Sequence, residues 1–114
     1  MDEDVLAQLE HLGTMAGEDL VGRLGALFLE DAHLHISIMR RAIAHADGLA
    51  LGRSAHALCG SSGNLGATAL ARLCATYGSV TGKELPTDTD WFLPAVSLEL
   101  ERVRAALAVR GMDR

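Results

Sequence analysis

From Leu93 onward, apolar side chains fall at Leu93, Val96, Leu100, Val103 and Leu107. Steps of three and four residues turn to one side only if the segment is an α-helix. The same spacing recurs upstream. The residue supply agrees: Leu and Ala total 37 against 9 Val plus Ile, a balance that favours helix over sheet. A chain of 114 residues buries roughly two-thirds of its unfolded surface, enough for one core without staples.

Five segments follow from this periodicity. Val5, Leu6, Leu9 and Leu12 predict a short helix ended by Gly13. A long one runs from about Glu18 to Ala46, with Leu20, Leu24, Leu27, Leu34 and Ile38 as its core stripe and Phe28 and His35 beside it. Asp47-Gly48 breaks it. The third, from about Leu49 to Asn64, aligns Leu51, Ala55, Leu58 and Ser62, and Gly63-Asn64-Leu65-Gly66 reverses the chain. The fourth spans Ala67 to about Val80, with Leu70, Leu73, Tyr77 and Val80 inward. The last starts between Asp88 and Pro94, because Pro fits only a first turn, and stops at Gly111. Four amphipathic helices on short loops predict one all-α domain over residues 1–114, an antiparallel up-down four-helix bundle with a small leading helix.

Charge and composition narrow the function. Ten basic and 15 acidic residues give −5, Lys83 is the only lysine, and aromatics are 4%. Nucleic acid needs a basic stripe and stacking platforms, so it is not an expected partner. No apolar run reaches the 18 or so residues of a membrane span. The start, Met1-Asp2-Glu3-Asp4, is acidic where a signal peptide is basic. Cys59 and Cys74 are 15 apart, which suits no C-x-x-C spacing. A reduced, cytoplasmic, monomeric domain is expected.

Twelve glycines sit badly with a helical chain, because each internal Gly costs about 1 kcal/mol relative to Ala. Gly13, Gly17, Gly48, Gly82 and Gly111 read as breakers or ends, Gly66 as a turn, and Gly22, Gly25 and Gly78 have no local account. The other three surround one histidine. Gly52, Arg53, Cys59, Gly60 and Gly63 lie at i−4, i−3, i+3, i+4 and i+7 from His56, off the apolar line. Small residues there either let a neighbouring helix approach or clear the imidazole for another protein's active site. Spacing alone leaves both open.

His56-Ala57-Leu58-Cys59-Gly60-Ser61-Ser62-Gly63-Asn64-Leu65-Gly66-Ala67 resembles the signature of histidine-containing phosphotransfer (Hpt) domains. That signature runs His-x-Leu-Lys-Gly-Ser and, after a short gap, Leu-Gly-Ala. Leu27-Phe28-Leu29-Glu30-Asp31, Ala42-Ile43 with Asp47, and Leu70-Ala71-Arg72-Leu73-Cys74 extend the likeness over about residues 3 to 108. The resemblance implies a phosphorelay carrier: His56 accepts a phosphoryl group from a receiver-domain aspartyl phosphate and passes it to another receiver. Such receivers belong to response regulators or hybrid sensor kinases. The receiver supplies the Asp, the Mg²⁺ and the lysine, and this chain is neither an enzyme nor a binder of cofactors. Gly52, Cys59, Gly60 and Gly63 become candidates for partner access, and Ser61 for orienting the histidine or steadying the phosphoryl group.

One position departs from the signature. Cys59 stands where the family carries Lys, and Arg53, one turn before His56, is the candidate replacement cation. The competing reading is a docking module on the same scaffold whose phosphorylation site has degenerated. A metal site is not expected: His33, His35 and His45 share a helix with Met39, and His56 with Cys59, whereas metal-holding bundles draw on inward Glu-x-x-His motifs from two helices. The three histidines read as surface or helix-boundary residues. Neither cysteine has an orienting His and acid that would make it a nucleophile.

Overall fold

A computed structural model describes residues 1–112, with side chains up to Arg110. Among these residues every regular element is helical: α1 (Glu3–Ala16), α2 (Leu20–Ala44), α3 (Gly48–Leu65), α4 (Thr68–Gly78) and α5 (Phe92–Met112). Helix α2 packs on α3, α3 on α4, α4 on α5 and α5 back on α2, while α1 leans on α2 and α3. The closed circuit encloses a core of Phe28, Met39, Leu51, Leu58, Leu70, Val96 and their neighbours.

Local chemistry sets the ends. Asp2, Asp19 and Asp47 each accept backbone N–H bonds at the start of α1, α2 and α3, which satisfies donors that a helix start leaves unpaired. Gly17 and Gly66 close α1 and α3 in the left-handed conformation, φ 72° and 83°, where a side chain is disfavoured. Gly66 also accepts from the Asp2 N–H at 2.6 Å, so the α3–α4 turn holds the start of α1. Arg110 on α5 grips Glu3 and Glu10 from the other side.

Several expected boundaries move. Helix α1 passes through Gly13 and stops at Gly17. Gly13 is instead a contact: a Cβ there would lie 2.7 Å from the Glu18 carbonyl oxygen and 2.9 Å from Leu20 Cβ. After α2 the reversal is made by Ala46, at φ 53°, and Gly48 lies within α3 beneath the 82–84 loop, donating to the Lys83 carbonyl. Helix α5 continues through Gly111.

The largest correction concerns α2. Its buried side is Val21, Gly25, Phe28, Ala32, Ile36, Met39 and Ala42. The stripe expected to be core is largely outside: Leu24 is 36% exposed, Leu27 61%, Leu34 59% and Ile38 39%. Close packing decided between the two stripes. Gly25 leaves room for Leu107 of α5, 3.1 Å from where its Cβ would be, and Ala32 and Ala42 are almost fully covered. Small residues let neighbouring helices approach, and the larger leucines were left to solvent.

Candidate functional site

Helix α3 is a rigid mount. Leu51, Ala55, Leu58, Ser62 and Leu65 are buried along one side, with the Ser62 hydroxyl enclosed and without a hydrogen-bond partner among the described residues. On the α2 side, the Ser54 hydroxyl donates to the His35 carbonyl at 3.2 Å, and its oxygen lies 2.9 Å from His35 Nδ1. The other ring nitrogen of His35 is 3.3 Å from Asp31. His35 is therefore a half-buried interhelical tie, whereas His33 and His45 are exposed as expected. On the α4 side, Gly52 is buried where a Cβ would strike the Val80 carbonyl.

His56 rises from this mount into solvent. Among the described residues, nothing beyond the backbone and immediate neighbours of α3 itself lies within 4 Å of where a Cβ would project from Gly60 or from Gly63, and both positions are exposed. A helical side chain leans toward the N-terminus and covers the turn before it, so a large residue at Gly60 would stand over the imidazole and one at Gly63 over Gly60. Across the seam, a Cβ on Gly78 of α4 would lie 3.3 Å from His56 Cα and 3.5 Å from its backbone nitrogen. The histidine backbone thus rests directly on α4.

The expected cluster divides. His56, Gly60, Gly63 and Arg53 share the exposed side of α3. Gly52 does not belong to it: its missing side chain is space used by Val80, so it serves packing and not partner access. Cys59 is half-buried against the core. The Ser61 hydroxyl donates to the Ala57 carbonyl at 3.1 Å, a bond within its own helix. Gly78 had no account in the sequence because its role depends on the α3–α4 register, which one helix cannot reveal. Among the described residues, no group of three or more His, Cys, Asp or Glu side chains is placed to hold a metal ion.

Beside the histidine helix runs the exposed stripe of α2. A groove between the two is lined by Leu24, Leu27, Phe28 and Asp31 from α2 and Ser61, Asn64 and Leu65 from α3. Leu34 and Ile38 carry the apolar surface further along α2. Contiguous apolar surface rimmed by polar groups marks interaction sites on soluble domains.

The Hpt domain family model matches residues 23–106, which takes in the groove, the histidine and most of α5. The chain belongs to the Hpt domain family, whose members act in two-component signalling as phosphotransfer carriers and not as enzymes in their own right. Family members interact with receiver domains of response regulators or hybrid kinases. No curated protein and no solved structure matches the chain. Among the described residues, no helix is long and apolar enough to cross a membrane.

Proposed function

We propose that this chain is a phosphorelay carrier in which His56 takes a phosphoryl group from a receiver aspartyl phosphate and delivers it to another receiver. The observation that carries the reading is an exposed His56 with open positions at Gly60 and Gly63. A neutral imidazole nitrogen attacks phosphorus in line, the P–O bond to the aspartate breaks, and the carboxylate leaves as the N–P bond forms. Return transfer runs the same steps backwards. Positioning and charge neutralisation dominate such chemistry, and the receiver brings the Mg²⁺ and lysine. This chain contributes a histidine whose backbone is held by α4 and whose ring is unobstructed.

The receiver docks on the α2 stripe and the adjoining groove, burying Leu24, Leu27, Leu34 and Ile38. Arg53, exposed one turn before His56, supplies the cation that Cys59 does not. The four helices in the closed circuit form an up-down bundle, with α1 as the small leading helix, in a single monomeric and cytoplasmic domain. A receiver charged with a small acyl phosphate tests the reading: the protein should strip it of phosphoryl groups at stoichiometric ratio. A receiver that binds but keeps its phosphoryl group would favour the docking module with a degenerate site.

A further inference from the structure

The α3–α4 seam also brings together two sulfurs that the phosphotransfer reading does not use. Gly78, the last residue of α4, meets His56, and Val80, two residues beyond, meets Gly52 one turn earlier on α3, so the two chain directions oppose across the seam. One further turn along α3 is Cys59, three residues past His56. The matching turn back along α4 is Cys74, four residues before Gly78. Cys74 is fully buried, and Cys59 is half-buried and packs against the same core. Burial first, and then the charge of Cys59, push the Cys74 thiol from 9.0 up to about 12.

We infer that Cys59 and Cys74 form a dithiol site that a hydroperoxide converts to an intramolecular disulfide, tying α3 to α4 one turn from His56. Cys59 is the reachable sulfur and reacts first. Its thiolate attacks one peroxide oxygen, the O–O bond breaks, and a sulfenic acid forms as the remaining oxygen leaves as water or alcohol. The Cys74 sulfur then displaces the sulfenic oxygen, which departs as water with the Cys74 proton. Two thiols and one hydroperoxide give one disulfide, one water and one water or alcohol. The buried, protonated Cys74 resolves slowly, so the bond should appear over minutes and not at once. In a reducing compartment such a bond is transient and suited to sensing. The Hpt signature has lysine at the Cys59 position, so this chain has an oxidisable sulfur in place of a fixed charge.

The test uses the full chain treated with stoichiometric hydrogen peroxide, then alkylated and digested with trypsin. Cleavage after Arg53, Arg72 and Lys83 separates the cysteines into peptides 54–72 and 73–83. The expected result is one covalent pair of these peptides, from monomeric protein that has lost two hydrogens and regains them with dithiothreitol. Cys59→Ser should abolish the pair, and Cys74→Ala should leave a trappable sulfenic acid at Cys59. Oxygen adducts on unlinked wild-type peptides, or a Cys59–Cys59 dimer, would overturn the inference.

Discussion

Gly78 on α4 lies so close to His56 on α3 that a methyl group on it would sit 3.3 Å from the histidine Cα. The contact is to backbone, which yields less readily than the end of a flexible side chain. Gly78 therefore sets the height of the proposed phosphoryl acceptor above the bundle. Gly78→Val should displace His56, lower the phosphotransfer rate at least tenfold and cost about 1–3 kcal/mol through overpacking. Circular dichroism should still report a helical protein. An unchanged transfer rate in a folded Gly78→Val variant would show that the contact does not position the histidine.

Gly52 and Gly60 flank the same histidine at i−4 and i+4, and they should respond oppositely to the same change. Gly52→Ala drives a methyl into the Val80 carbonyl and should cost about 2–3 kcal/mol. Gly60→Ala meets open space and should gain about 1 kcal/mol of helix propensity. Urea unfolding of the two variants reads both signs. Gly60→Leu should remain folded yet lose phosphotransfer, because its side chain covers the turn that carries His56.

The α3 line Leu51, Ala55, Leu58 and Ser62 was legible because it has a single apolar side, and Asp47-Gly48 and Gly66 announced themselves as a break and a turn. Helix α2 was not, because it carries two apolar stripes. Leu24, Leu27, Leu34 and Ile38 are the bulkier set, but Val21, Gly25, Phe28, Ala32 and Met39 are the set that fits against α3 and α5. The small residues in that second line were the available signal. Of the candidate site, the grouping of Gly60 and Gly63 about His56 was readable from one helix, but whether it served packing or access was not. Telling Gly52 from Gly78 required the register of two.

The α2 result gives a paired prediction. Leu27→Asp and Leu34→Asp alter exposed positions and should change stability by no more than about 0.5 kcal/mol, while weakening receiver binding at least tenfold. Met39→Ala, wholly buried, should cost about 2–5 kcal/mol and leave receiver affinity of the folded protein unchanged. Thermal unfolding and titration calorimetry separate the two classes. A stable Met39→Ala variant alongside an unfolded Leu27→Asp variant would reverse the assignment of core and surface.

Burial holds the Cys74 thiol neutral up to about pH 12, against an ordinary value of 9.0. The folded state thus binds the proton more tightly than the unfolded state does. This contribution is complete below pH 9 and is lost as pH rises through the interval up to about 12. Its slope approaches ~1.4 kcal/mol per pH unit at most. Under reducing conditions, denaturant midpoints measured from pH 8 to pH 11 should fall with pH, and Cys74→Ala should flatten that fall. An equal decline in the variant would assign the alkaline loss to other groups.

Intact mass spectrometry reads phosphorylation of His56 directly. Wild-type and His56→Gln protein are incubated with a phosphorylated receiver, and portions are then held at acidic or alkaline pH. Wild type should gain one phosphoryl group, lost in acid and kept in base, and His56→Gln should gain none. A phosphoryl group that survives acid, or one that appears equally on His56→Gln, would contradict His56 as the acceptor.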